Sequence, residues 1–257
     1  MPDDFSHRDR CAIVGIGATD YSRSSGRSDL SLATQAALAA VDDAGLSPKD
    51  IDGIVRCDMD LVRPNDLVES LGLNGLSYYG EVGPGGVAPC GMVGQAVAAI
   101  LSGLATTVLV FRCLNGRSGR RYGQSAATET RVGGGGTYDE FFLPYGLLTP
   151  GQIFGLMAQR HMIEYGTSEK DLGHIALACR ARANANPAAQ MHDRPLTMDD
   201  YLAARMISRP LRLFDFCLET DGGCAVIVTS ADRAKDLRKP PVLIRAVAQG
   251  SLPAPQP

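Results

Sequence analysis

The chain has 257 residues, 45% of them apolar, enough for the core of one large α/β domain or of a domain carrying a substantial insertion. Its 25 basic and 28 acidic side chains leave a formal net charge of −3, so no global field draws in nucleic acid or an anionic membrane surface, and neither is expected as a partner. The longest apolar stretch, Ala96 to Phe111, is broken by Ser102, Gly103, Thr106 and Thr107, and the first residues, MPDDFSHRDRC, hold no apolar signal segment, so no membrane span or secretion is expected.

Cys11 to Gly17 (CAIVGIG) is a continuous apolar run ended by glycine, and Leu30 to Ala44 then carries apolar residues at helical spacing with Gly45 as its stop. This predicts a strand followed by a helix. Ile51 to Cys57 reads as a second strand, Asn65 to Leu71 as a short helix and Ser77 to Val82 as an extended piece. Cys90 to Gly103 has small and apolar residues at i, i+3, i+4 and i+7, and Ala105 to Cys113 is rich in β-branched residues, which predicts a buried helix feeding a central strand. Apolar strands alternating with helices imply a sheet covered on both faces.

From Leu114 to Pro150 the chain is glycine-rich, and a connection of that length is functional or mobile. Gln152 to Tyr165 and Lys170 to Asn184 read as helices, with Thr167 or Ser168 capping the second, and Thr197 with Asp200 opens another through Arg205. Ala225 to Thr229 is expected as a core strand, Ala231 to Asp236 as a short helix, and Val242 to Val247 as a further strand.

The seven cysteines include no CxxC pair, and an odd number cannot be fully paired, which points to reduced thiols in a cytoplasm. Cys90 stands at a helix start after a glycine-rich turn, where the helix dipole favours the thiolate. It reads either as a nucleophile or as a small buried residue; the other six cysteines lie within apparent strands or helix faces. The four histidines show no HxH or HExxH pattern, so no metal site is expected. Gly15 and Gly17 give only part of a dinucleotide fingerprint. The arginines of NGRSGRRYG, Arg117, Arg120 and Arg121, suit a phosphorylated ligand or a solvated loop equally well.

Taken together, AIVGIGATDYSR, CGMVGQAVAAILSGLATTVLVFRCLNGRSGRRYG, GQIFGLMAQRHMIEYGTSEKDL and PLRLFDFCLETDGGCAVIVTSADRAKDL make the chain resemble the thiolase superfamily. The likeness is greatest to its sterol-carrier-protein-type, lipid-transfer branch. It implies an αβαβα fold of two βαβα halves, of which this sequence fits the first: 1–115 and 210–240 as the core, 116–209 as an inserted loop domain, and 241–257 as the start of a second half largely absent. It also implies a homodimer.

Within that family the nucleophilic cysteine maps onto Cys90, but CGMV stands where CASG or CATG is usual. Gly83 to Gly86, Asn115 to Gly123 and Pro144 to Gly146 resemble the steroid side-chain aldolases. Those enzymes cleave a β-hydroxyacyl-CoA by retro-aldol reaction beside a small OB-fold or zinc-ribbon acyl-CoA-binding protein. The resemblance therefore implies a coenzyme A thioester as substrate and no further cofactor. Tyr122 and Tyr145 become candidates for the proton transfer or for holding the enolate, and Arg117, Arg120 and Arg121 for binding CoA. Two alternatives stay open: a thiolase using Cys90, and a binding subunit without turnover.

Overall fold

The structure, a computed structural model, describes residues 7–83, 86, 88–119, 121, 143–147 and 149–250. Two compact units form, one from the chain up to Gly119 and again from Thr220, the other from Arg120 to Glu219.

In the first unit β1 (Cys11–Ala18), β2 (Gly53–Cys57), β3 (Tyr78–Val82), β4 (Thr107–Asn115), β7 (Asp221–Ser230) and β8 (Val242–Leu243) form one sheet in the order β3-β2-β4-β7-β1-β8. β2 runs parallel to β3 and β4, while β7 is antiparallel to its neighbours β4 and β1. β1 to β4 therefore all point the same way, and β7 returns between two of them.

Period-two alternation splits the strand residues between two cores. Ile54, Leu109, Phe111 and Ile227 meet α1 (Asp29–Ala44) and α2 (Pro64–Leu71) through Leu32, Ala36, Ala40 and Leu67. Val55, Val108, Val110 and Val228 meet α3 (Ala88–Leu101) through Ala88, Met92, Ala96 and Val97. Each such aliphatic side chain contributes about 1.5–3 kcal/mol on burial, so both faces are covered as the apolar strands require.

The two glycines of β1 are explained by packing. A Cβ on Gly15 would stand 2.2 Å from the Ala40 carbonyl oxygen, and one on Gly17 2.1 Å from that of Ala36. Helix α1, lined by Ala33, Ala36, Ala37, Ala40 and Ala44, lies directly on the strand backbone. It begins at Ser28, whose hydroxyl accepts from the Ser31 N–H, and ends at Gly45 with φ 73°.

The second unit contains α4 (Pro150–Tyr165), α5 (Glu169–Asn184), α6 (Met198–Ala203), and a hairpin of β5 (Met206–Ser208) with β6 (Leu211–Arg212) that the sequence pattern did not reveal. Ser168, not Thr167, caps α5, in a reciprocal pair with Asp171, and Thr197 and Asp200 form the same motif at α6. The buried ring of Tyr201 packs over Gly173, and its hydroxyl donates to Asp215 at 2.9 Å.

Helix α6 ends at Ala203, short of Arg205, because Arg205 turns the chain into β5. The strand expected over Val242 to Val247 shrinks to the two residues of β8. Beyond Leu243, Ile244 still donates its N–H to the Cys11 carbonyl at 2.9 Å, while its side chain and that of Val247 pack into the core beneath α3. After Ser230, the short helix α7 (Ala231–Ala234) precedes β8, and among the described residues no helix is long and apolar enough to cross a membrane.

Candidate functional site at the carboxyl end of the sheet

Because β1 to β4 point one way, their carboxyl ends and the start of β7 share one edge of the first unit, the place where open α/β sheets collect ligands. Two carboxylates organise that edge.

Asp221, at the start of β7, is fully buried. Its Oδ1 accepts the N–H groups of Arg117 and Ser118, each at 2.9 Å. Its Oδ2 accepts the Ser25 N–H at 2.9 Å and the Ser118 hydroxyl at 2.5 Å. Burial alone would raise its pKa, but the hydroxyl and amide donors of Ser118, with those of Ser25 and Arg117, bring it down to about 2. The neighbouring Asn115 receives the Ser25 hydroxyl at 2.8 Å, donates to the Arg27 carbonyl at 2.8 Å, and gives its own N–H to Asp29 at 2.7 Å.

NGRSG and DGG, far apart in sequence, are thus the two sides of one construction. Gly222 keeps the second motif bare, since a Cβ there would meet the Tyr21 ring at 2.4 Å.

Asp60, in the loop after β2, is the second. Its side chain is fully buried and accepts from Arg112 Nη1 at 3.2 Å, while Oδ2 has no partner. Arg56 donates to the Asp60 carbonyl and pairs with Glu81 at 2.5 Å. Desolvation outweighs the attraction of Arg112 and Arg56 and lifts the Asp60 carboxyl to about 7. Burial also raises the thiols of Cys113 and Cys57, and the Asp60 charge adds to each.

Cys90 lies in the first turn of α3 and is exposed, as a nucleophile or a ligand contact must be and a core cysteine is not. Next to it, a Cβ on Gly91 would stand 2.5 Å from Gln249 Oε1, and the Gln249 amide donates to the Gly83 carbonyl at 3.2 Å. Residues after β8 therefore border this helix start. Cys11, Cys57 and Cys113 are buried strand thiols, whereas Cys217 belongs to no helix or strand and is exposed, contrary to the expectation that it lies in an element.

Arg117 shares this edge through its backbone N–H, and its side chain is exposed. Arg121 belongs to the second unit and pairs with Glu219 through Nε at 2.6 Å and Nη2 at 2.5 Å, which occupies the guanidinium. Tyr145, also of the second unit, closes a short turn, Leu143–Tyr145, and is 86% exposed. Arg120 and Tyr122 lie outside the described residues. The first unit thus brings Cys90 and Arg117 to one edge, and adds Asp60, Arg112 and Asp221, which the sequence pattern did not single out.

A mixed sheet with one antiparallel strand inserted among parallel ones, helices on both faces, and an exposed cysteine opening the helix after β3 define a thiolase-like α/β protein. No protein-family model matches the chain. It is 44% identical over 241 residues to a steroid side-chain-cleaving aldolase of Thermomonospora curvata, covering 93% of this chain and 62% of that protein. It is 42% identical over 245 residues to the 17-hydroxy-3-oxo-4-pregnene-20-carboxyl-CoA lyase of Mycobacterium tuberculosis, covering 95% of this chain and 64% of that one. Its fold superposes on a chain of the Ltp2-ChsH2(DUF35) aldolase with a TM-score of 0.88 at 42% identity, over 95% of this chain and 62% of the other. A thiolase-like protein of Mycobacterium smegmatis shares the fold at 22% identity, TM-score 0.67, over 89% of this chain and 47% of that one. Over nearly its whole length the chain is similar to steroid side-chain aldolases, and it spans a little under two thirds of the length of those relatives.

Proposed function

We propose that the chain takes part in retro-aldol cleavage of a steroid β-hydroxyacyl-CoA to a ketone and a short acyl-CoA. The observation that carries this reading is identity above 40% along nearly the whole chain to two relatives named as an aldolase and a lyase. In a 17-hydroxy-pregnene-20-carboxyl-CoA the hydroxyl is β to the thioester carbonyl. Removing its proton lets the C17–C20 bond break, C17 becomes a ketone, and the electron pair passes into the thioester enolate. Protonation of that enolate at C20 gives propionyl-CoA. The balance needs neither free CoA nor a redox cofactor, so the CoA thioester itself is the only cofactor-like group in this reading.

The chemistry calls for a base at the hydroxyl and donors at the enolate oxygen. Tyr122 and Tyr145 remain candidates for the proton, and the 86% exposure of Tyr145 leaves it open to a ligand. The first turn of α3, with Cys90, offers N–H groups and the positive end of a 14-residue helix. Arg117 and Arg120 are assigned to the CoA phosphates. Arg121 joins them only if it leaves Glu219.

The superposed Ltp2-ChsH2(DUF35) aldolase joins two named components, which supports a partner protein for this chain as well. The partner assigned here is a small acyl-CoA-binding protein of the OB-fold or zinc-ribbon kind. A homodimer and a cytoplasmic setting complete the proposal.

The test is mass spectrometry of the products from a 17-hydroxy-20-carboxyl-CoA steroid without free CoA. Propionyl-CoA is the expected product. Turnover only with added CoA and a β-ketoacyl-CoA would replace this reading with acyl transfer at Cys90, and ligand binding with no product in either condition would replace it with a binding subunit.

A further inference from the structure

The second unit holds two thiols and a guanidinium together in a place that the proposed cleavage does not use. A cavity of about 670 Å3 lies between α5 and the segment from Leu211 to Leu218, and Cys179, Arg180 and Cys217 all line it. Cys179 and Arg180 come from the carboxyl-terminal half of α5 and Cys217 from the facing segment, and both cysteines are exposed free thiols. Cationic, partly exposed surroundings of this kind are where reactive thiols are found, whereas an inert structural cysteine is buried among apolar side chains.

The charge of Arg180 is uncompensated. Its Nη1 donates to the Arg194 carbonyl at 3.0 Å and its guanidinium lies over the Phe214 ring at 5.4 Å, but among the described residues no carboxylate pairs with it. Asp215, which also lines the cavity, has both oxygens engaged: Oδ1 accepts the Tyr201 hydroxyl at 2.9 Å and Oδ2 the Arg212 N–H at 2.6 Å. Arg212 in turn pairs with Glu169 at 2.6 Å. The N–H groups that Arg180 keeps in reserve suit a carboxylate, which a guanidinium can hold through two parallel hydrogen bonds.

We propose that this cavity is a site of S-thiolation, where Cys179 or Cys217 takes up a small thiol whose carboxylate is held by Arg180. The co-reactant is the corresponding low-molecular-weight disulfide. The protein thiolate attacks one sulfur of it, the S–S bond of the reagent breaks as the new one forms, and the departing half leaves as a thiolate that takes up a proton. The protein sulfur is oxidised and the departing sulfur reduced, so the exchange balances without a further oxidant. The site is independent of the cleavage proposed above.

The test compares two small disulfides of opposite charge, oxidised glutathione with its carboxylates and cystamine with its amines, on the folded chain. Initial rates of adduct formation at each cysteine are followed by peptide mass spectrometry, with N-acetylcysteinamide as an uncharged model thiol. The preference for glutathione over cystamine at Cys179 or Cys217 should exceed that of the model thiol about tenfold. It should fall towards the model value in about 1 M salt, fall likewise in Arg180→Gln, and persist in Arg180→Lys, which keeps the charge. The wild-type and salt comparisons use the unaltered chain and stand whether or not a variant folds.

A preference at both cysteines no greater than that of the model thiol overturns the proposal. So does a preference that high salt or Arg180→Gln leaves intact, failure of both thiols to react with either reagent, or a direct Cys179–Cys217 disulfide formed in place of an adduct.

Discussion

Asp60 ties the site to solution pH through a quantity that can be measured. Its carboxyl, with an ordinary pKa of 3.8, is lifted to about 7 by burial despite Arg112. A raised carboxyl pKa means the folded chain holds a proton that the unfolded chain releases. The stabilisation is therefore complete below about 3.8 and is lost as pH climbs through about 7. Between pH 5 and pH 8 those two values give a loss of roughly 2–3 kcal/mol from this group alone. Asp60→Asn cannot titrate, so the stability of the variant minus that of the wild type should rise by about that amount over the same interval, whatever its value at pH 5. Urea unfolding followed by circular dichroism at pH 5, 6, 7 and 8 gives both curves, and the other titrating groups cancel in the difference. A difference flat to within about 0.5 kcal/mol would show that Asp60 is ionised with its ordinary pKa, and the argument from its buried, half-partnered carboxyl would fail.

Asp221→Ala removes four hydrogen bonds to a buried carboxylate and should cost about 3 kcal/mol or more, with faster amide exchange at Arg117 and Ser118. Because the Asp221 pKa is depressed to about 2, its contribution is present above about 3.8 and fades as pH falls through about 2, which acid unfolding of the wild type and Asp221→Asn would compare. Gly17→Ala should destabilise by about 2–3 kcal/mol, read from the urea midpoint, since the new methyl would press on the backbone of α1 rather than on a movable side chain. Cys90→Ala should keep more than about a tenth of retro-aldol turnover if no acyl-enzyme forms; a loss beyond about a thousandfold would mean covalent catalysis.

Much of the architecture was legible because it rests on periodicity. The strands at Cys11, Ala105 and Ala225 and the helices at Leu30 and Cys90 are long, apolar and bounded by glycine or capping residues, and a both-faces-covered sheet follows from them. The failures fall where tertiary contacts decide. Val242 to Val247 has the composition of a strand, yet only Val242 and Leu243 form regular strand beside β1; Ile244 keeps backbone hydrogen bonds to Cys11 and Asp9, and its side chain packs with Val247 into the core under α3. Gly15 and Gly17 match only part of a dinucleotide fingerprint, and their reason is an alanine-faced helix lying on the strand, a contact no local pattern announces.

The site was legible in part for the same reason. A cysteine at a helix start can be read from sequence, and Cys90 is where that reading put it. Asp60 could not be read so, because its meaning depends on Arg112, which is 52 positions away, and on how completely the loop after β2 is covered. Nor could the meaning of Asp221, whose donors at Ser25, Arg117 and Ser118 lie more than 100 positions away in the chain. A buried carboxylate with one bare oxygen is a poor way to stabilise a sheet, since a neutral residue of the same size would avoid the desolvation. Its presence at the edge that also carries Cys90 and the Asp221 turn is what marks this edge, rather than either hydrophobic core, as the candidate site of the first unit.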